Sequence, residues 1–215
     1  MNRLIGSAIL GSAIILALLP AYCELTGPAA TRQVCATNLV ALYQATRAYA
    51  ADNDGYFPFA QAKQPPPHIW LWWFDYLQPY VKNPQIFCCP ASKKAEEYDV
   101  YAEPEPLLPG LAFSPYWVSY GMGNWYARDF DPRAPYRPDA LTDQHNTLLF
   151  ADAMGQLVTS NKGGWNVDPR HEGAVNVVLA DGTVVVTKPE YKPDGSYMLV
   201  RIENGRPLTW QLKAE

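Results

Sequence analysis

The sequence has no run of basic residues and lacks the short motifs that mark many enzymes. Its 215 residues include 17 Lys and Arg against 21 Asp and Glu, which gives a formal net charge of −4. A nucleic-acid backbone would meet a surface that repels it, so we expect no nucleic-acid partner. The Gly-rich phosphate loop, the G-x-S-x-G elbow, H-E-x-x-H and C-x-x-C are all missing. Their absence argues against the nucleotide-binding, hydrolase and zinc classes that these motifs identify.

Charge is also missing from most of the N-terminus. Residues 4–19 form an uncharged, mainly apolar run between Arg3 and Pro20. As a helix this run would be about 24 Å long, or about 30 Å if it continued to Cys23, which is close to the thickness of a hydrocarbon core. Residues 1–23 are therefore predicted to be a membrane anchor, with a cleaved export signal and a lipoprotein signal as alternatives. We expect a single-pass protein of the cell membrane whose head is periplasmic or extracellular.

The next segment, residues 24–55, is predicted to be an amphipathic stalk helix. Its inward stripe recurs every three or four residues and consists of Cys35, Leu39, Leu42, Thr46 and Tyr49. Pro28 suits a first helical turn, and Gly55 suits a left-handed stop. Residues 56–215 contain most of the 20 prolines and are predicted to form a loop-rich head domain.

Strand patterns are concentrated in the second half of the head. Residues 69–80 indicate a short aromatic helix, whereas residues 147–152 and 175–186 indicate strands. The Asp181-Gly182 pair predicts a tight hairpin turn inside the latter segment. A last hairpin is predicted around Asn204-Gly205. A helix followed by a mostly antiparallel sheet gives an α+β fold class.

The four cysteines, Cys23, Cys35, Cys88 and Cys89, are interpreted in the context of export. Vicinal Cys88 and Cys89 cannot easily bond to each other without strain, so one of them is expected to bridge to a distant cysteine. Cys35 is the best candidate because Cys23 lies at the predicted membrane edge. The alternative is that all four are buried thiols.

The histidines and their acidic neighbours form no recognisable catalytic spacing. The residues considered are His68, His145, His171, Asp152, Asp168 and Asp181. For His171 we favour a structural role, hydrogen-bonded to a loop carbonyl or an Asp; a divalent cation site with Asp152 or Asp181 and a catalytic role are the alternatives. We therefore predict no catalytic residues, no metal and no cofactor.

Tryptophans raise a second kind of binding hypothesis. Exposed aromatic rings can stack on sugars, and six tryptophans are candidates for such a surface: Trp70, Trp72, Trp73, Trp117, Trp125 and Trp165. Filling of a small core is the favoured interpretation. Protein contact and sugar binding are the alternatives.

Several short motifs, taken in order, resemble one known family. His171, nine intervening residues and then Asp181-Gly182 make an H-x9-DG signature, preceded by related segments at 35–39, 49–58, 77–83, 87–90, 119–124 and 147–152. The chain therefore resembles the type IV pilin-like, or pseudopilin-like, proteins of the H-x9-DG (prepilin-type processing-associated) family. The usual Gly-Phe cleavage site is missing, and Gly11 stands where the family's assembly glutamate is expected.

The resemblance implies a lollipop fold, with a long N-terminal helix packed on an antiparallel sheet. It also implies a disulfide between Cys35 and Cys89. Such a protein would not be an enzyme but a membrane-anchored, exported structural or assembly component of a type II secretion or type IV pilus-like system. Its expected partners are the membrane, other pilin-like subunits or the secretion machinery, with self-association into an oligomer or filament. An exported carbohydrate-binding or adhesion module is the alternative, and an unrecognised hydrolase is third.

Overall fold

A computed structural model describes residues 27–63, 70–92, 118–123, 137–141, 143–155, 157–158, 167–191 and 197–208. In these residues a helix of 25 residues lies against a six-stranded sheet, and a two-stranded sheet with a five-residue helix lies beside it. The helices are α1 (Pro28–Asp52) and α2 (Trp73–Leu77). The strands are β1 (Gln61–Lys63), β2 (Trp70–Trp72), β3 (Tyr120–Gly123), β4 (Leu148–Asp152), β5 (Leu157–Val158), β6 (Val175–Leu179), β7 (Val184–Tyr191) and β8 (Tyr197–Arg201).

Helix α1 begins and ends where backbone restrictions require it to. Gly27 is extended (φ −84, ψ 163) and Pro28 occupies the first turn, where its missing N–H costs nothing. At the other end Gly55 has φ 82, and its N–H donates to the carbonyl oxygen of Ala50. The predicted stripe faces inward, since Cys35, Leu39, Leu42 and Thr46 are buried.

The large sheet has the strand order β5-β3-β4-β6-β7-β8. All its neighbouring strands are antiparallel except β5, which runs parallel to β3. The predicted hairpin is present, because β6 and β7 are joined by a turn through Asp181 and Gly182. The predicted last hairpin is seen as a bridge between Val200 and Pro207.

Both faces of the large sheet are covered where β6 lies, and successive side chains of β6 point to opposite faces. Val178 and, just beyond the strand, Ala180 belong to the core under α1, whereas Val175, Val177 and Leu179 belong to a second cluster. This alternation follows from the two-residue period of a strand. We call the cluster under α1 the helix core. It includes residues of α2, among them Trp73, whose ring centroid lies 4.8 Å from that of Phe150.

The predicted fold class, a long N-terminal helix packed on an antiparallel sheet in a lollipop, is wrong. In the described residues α1 starts only at Pro28, because the extended backbone of Gly27 does not continue the helix backwards. The other α-helix, α2, has five residues. The large sheet is mixed because β5 pairs in parallel with the end of β3.

The predicted single-pass location in the cell membrane, with a periplasmic or extracellular head, is likewise unsupported. Among the residues that the structure describes, no helix has both the length and the apolar character needed to cross a membrane. The apolar run at residues 4–19, on which that prediction depended, lies outside the described residues.

Candidate functional site

The H-x9-DG signature brings its two ends to opposite ends of β6. His171 starts a tight turn in which the His171 N–H donates to Ala174 and the Ala174 N–H donates back to His171. Glu172 and Gly173 complete this turn with positive φ angles. Strand β6 follows, and the next turn contains Asp181 and Gly182. The nine intervening residues are therefore the rest of the first turn, the five residues of β6 and the first residue of the second turn.

Gly182 lies directly against α1. Its φ is 90, and a Cβ atom added there would come within 2.4 Å of Cε1 of Tyr43. A side chain at this position would therefore be strained by the backbone and would also collide with the helix. Glycine at position 182 lets the β6–β7 turn approach the Tyr43 ring.

Asp181 stabilises the same turn. Its carboxylate accepts hydrogen bonds from the N–H and hydroxyl of Thr183, and it lies 2.6 Å from Nδ1 of His145. Burial acts to raise the pKa of Asp181, but the hydrogen bonds from Thr183 and His145 outweigh that effect and lower the pKa. The interactions with Thr183 fix the turn that presents Gly182 to α1.

At the other end of β6 a buried polar cluster joins α1 to the sheet. Cys35 of α1 is bonded to Cys89, and their Cα atoms are 5.3 Å apart. Nε2 of His171 lies 3.5 Å from Sγ of Cys89 and 3.5 Å from Oδ2 of Asp152. The same carboxylate oxygen accepts a 2.7 Å hydrogen bond from the backbone N–H of Asn176. We call the contacts of α1 with the two turns that flank β6 the helix-docking site. It consists of Cys35 and Tyr43 on α1 and of Cys89, Asp152, His171 and Gly182 opposite the helix.

Two amides support the helix-docking site, and neither was predicted from the sequence. Nδ2 of Asn38 on α1 donates to the carbonyl oxygen of Cys88 at 2.9 Å and to the hydroxyl of Tyr120 at 3.2 Å. Nδ2 of Asn176 reaches the carbonyl oxygen of Arg32 at 3.5 Å. Burial, together with the negative charge of Asp152, raises the pKa of Tyr120, so its hydroxyl remains neutral. The available signal was a polar residue on a buried face, as Asn176 is in β6.

The structure separates the acidic and histidine residues into distinct pairs. His171 lies beside Asp152, whereas the exposed His145 lies beside Asp181 at the far end of β4 and β6. Asp168 instead pairs with Arg170, with 2.9 Å between their charged atoms. His68 lies outside the described residues.

Of the six tryptophans named above, the structure describes the side chains of two, Trp72 and Trp73. Trp73 is fully buried, and Trp72 is half-buried with its ring stacked on that of Phe74, 6.3 Å between centroids. The side chains of the other four lie outside the described part of the chain. Trp73 fills the core as the favoured interpretation expects, and sugar binding stays an untested alternative.

A separate open cleft of about 620 Å³ lies beside the C-terminal end of α1. Its charged lining includes Arg47, Asp54, Arg137 and Asp139. Arg137 pairs with Asp139 at 3.7 Å and also lies over the ring of Tyr56. Among the described residues, the lining of this cleft contains no histidine or cysteine.

In the described residues, His171 of the signature therefore lies buried beside the disulfide that ties α1 to Cys89, and Asp181 fixes the turn that brings Gly182 against α1. The Cys35–Cys89 disulfide adds a covalent connection to these contacts. Comparisons of the chain with protein-family models, with curated proteins and with solved structures find no match.

Proposed function

We propose that the protein is a pseudopilin-like structural or assembly subunit of a type II secretion or type IV pilus-like system, acting through protein contacts and not by catalysis. The proposal draws on the resemblance of the H-x9-DG signature and on the structural use that His171 and Gly182 have in this chain. The Cys35–Cys89 disulfide also supports it, because the resemblance implies a bond between these two cysteines.

One observation carries the proposal, namely the composition of the outward face of α1. Between residues 33 and 44 the exposed side chains are uncharged, and they are Gln33, Val34, Thr37, Val40 and Gln44. Val34 and Val40 are 41% and 37% exposed. Charged residues are depleted at the centres of protein interfaces, where apolar and uncharged polar groups remain. We therefore expect this outward face to contact a second copy of the chain.

The test is site-specific photo-cross-linking of the purified full-length protein. A photoreactive amino acid is placed at Val40, on the outward face, and in a matched variant at Lys188, an exposed position of β7. We expect a covalent dimer from position 40 and little or none from position 188. Peptide mapping should locate the partner's attachment point on its own α1.

A second variant tests the chemistry of the contact. Val40→Asp introduces a charge into the outward face and should weaken dimerisation measured by sedimentation, because an unpaired charge is costly in an apolar contact. The proposal is contradicted if position 40 yields only monomer, or if both positions cross-link equally.

A further inference from the structure

Four metal-binding side chains converge inside the helix-docking site. One ligand atom from each of Cys35, Cys89, Asp152 and His171 lies within 4.8 Å of those of the other three. All four residues are buried, with exposures of 0%, 3%, 0% and 2%. They come from α1, from the loop after residue 87, from β4 and from the turn before β6. The fold thus brings together two sulfurs, a carboxylate and an imidazole at one point.

The spacing of His171 and Asp152 fits co-ligands of one ion better than a hydrogen bond, and the spacing of His171 and Cys89 fits either a hydrogen bond to sulfur or two ligands of one ion. Sγ of Cys89 and Oδ2 of Asp152 each lie 3.5 Å from Nε2 of His171. In a tetrahedral zinc site, ligand distances of about 2.0 to 2.3 Å place a sulfur and a nitrogen about 3.5 Å apart, and a nitrogen and an oxygen about 3.4 Å apart. By contrast, an N–H···O hydrogen bond normally has a separation of about 2.9 Å.

The cluster also contains buried polar atoms that lack partners. In the described part of the chain, neither Oδ1 of Asp152 nor Nδ1 of His171 has a hydrogen-bond partner. Buried polar atoms are normally satisfied, and an unsatisfied one can indicate an ion or water. Of these two atoms only Oδ1 of Asp152 can bind an ion held by Nε2 of His171, because Nδ1 lies on the other side of the imidazole ring. The unpartnered carboxylate oxygen is an observation independent of the spacing.

We propose that reduction of the Cys35–Cys89 disulfide converts this cluster into a binding site for one Zn²⁺ ion. A dithiol reductant supplies two electrons and two protons. The S–S bond breaks, each sulfur becomes a thiol, and the dithiol is oxidised to its own disulfide. Zn²⁺ then displaces both thiol protons to solvent and is bound by two thiolates, neutral Nε2 of His171 and one carboxylate oxygen of Asp152.

This conversion needs only local movement of the two cysteines. Their sulfurs must separate from bonding distance to about 3.8 Å, the edge of a zinc–thiolate tetrahedron, which rotation about the Cα–Cβ bonds can supply. Thiolate and imidazole are ligands that zinc prefers. The disulfide and the ion exclude each other, because a bonded sulfur pair has no thiolate to offer.

Burial of the cluster determines how the site must be loaded. An ion cannot reach it freely in the folded protein, whereas binding coupled to folding is common for structural zinc. The experiment therefore starts from the unfolded, reduced chain. It uses a Cys23→Ser/Cys88→Ser variant, in which Cys35 and Cys89 are the remaining cysteines. The protein is refolded with a dithiol and one equivalent of Zn²⁺, and bound metal is measured by elemental analysis after gel filtration.

We expect one Zn²⁺ per chain in the reduced protein and none in the same protein refolded with its disulfide intact. Replacing Zn²⁺ with Co²⁺ should give the thiolate-to-metal charge-transfer band of a tetrahedral site. Asp152→Asn and His171→Gln should each weaken zinc affinity beyond the roughly 10- to 100-fold that loss of an outer-shell partner costs. Asp152→Asn retains an oxygen that can accept the Asn176 N–H, and circular dichroism reports whether each variant folds.

Two results would overturn the proposal. One is a reduced protein that takes up no more zinc than the oxidised protein. The other is unchanged zinc affinity in Asp152→Asn or His171→Gln, because it would mean that the cysteines bind zinc without the cluster. If both variants fail to fold, the Co²⁺ spectrum of the reduced natural cluster decides, because absence of the tetrahedral charge-transfer band would overturn the proposal.

Discussion

Replacing Gly182 with alanine should loosen α1 from the sheet, although it adds only one methyl group. The new Cβ would lie 2.4 Å from Cε1 and 2.8 Å from Cδ1 of Tyr43. These separations are far below van der Waals contact, so either the β6–β7 turn or the Tyr43 ring must move. Tyr43 packs against the helix core, and its displacement would weaken that packing.

The expected cost has two parts that a control can separate. A side chain at φ 90 carries backbone strain of about 1–3 kcal/mol. Overpacking against Tyr43 adds about 1–3 kcal/mol. Gly173 has a similar φ of 82 but nothing within 4 Å of an added Cβ, so Gly173→Ala should show the strain alone. Gly182→Ala should therefore lower the free energy of unfolding by about 1–3 kcal/mol more than Gly173→Ala does.

The assay is urea unfolding of the full-length protein with its disulfide intact. Each glycine variant is also made in a Tyr43→Ala background, which removes the ring that meets the new methyl group. In that background Gly182→Ala should cost no more than Gly173→Ala, a coupling of about 1–3 kcal/mol between positions 43 and 182. Equal costs for the two glycine variants in the natural background, or strict additivity with Tyr43→Ala, would refute the proposed contact.

Three further predictions concern the remaining supports of α1. Cys35→Ser should lower the free energy of unfolding by about 4 kcal/mol, because the disulfide closes a loop with a sequence separation of 54. Cys88→Ser should lower it far less, and equal losses for the two variants in urea unfolding would contradict the prediction. Asn38→Ala should lower the free energy of unfolding by about 1–3 kcal/mol, because two hydrogen bonds are lost. Thr37→Ala, at an exposed position, should lower it by less than about 0.5 kcal/mol. Similar melting temperatures for the two variants would refute this prediction. Because the folded-state pKa of Asp181 is lowered, its stabilising effect is present above the unfolded pKa of about 3.9 and disappears as the pH falls through the folded pKa. Between pH 5 and pH 2 the wild type should thus lose more stability than Asp181→Asn, and parallel pH profiles would contradict that.

The parts of the fold that depend on local periodicity could be predicted from the sequence. The stripe from Cys35 to Thr46 is buried as expected, because the helical repeat alone determines which side chains share a face. The hairpin at Asp181-Gly182 is also local, since a tight turn between two β-rich segments requires positive φ.

Features that depend on distant pairing could not be predicted in this way. Residues 69–80 are predicted to contain a short helix that ends before Pro79. The helix begins only at Trp73, because Trp70–Trp72 forms a strand that pairs with Gln61–Lys63. Likewise, the approach of His171 to Asp152 depends on the register that places Ala151 opposite Val177. No spacing in the sequence specifies that register, so the two histidine–aspartate pairs were not distinguished.

We infer that the two turns of the H-x9-DG signature hold α1 on the sheet, and amide hydrogen exchange of residues 28–52 tests this most directly. Exchange should be measured on the full-length wild type, on Gly182→Ala and on Gly173→Ala, under conditions in which all three are folded. We predict faster exchange throughout the middle of α1 in Gly182→Ala and wild-type protection of α1 in Gly173→Ala. Unchanged protection of α1 in Gly182→Ala would contradict the account.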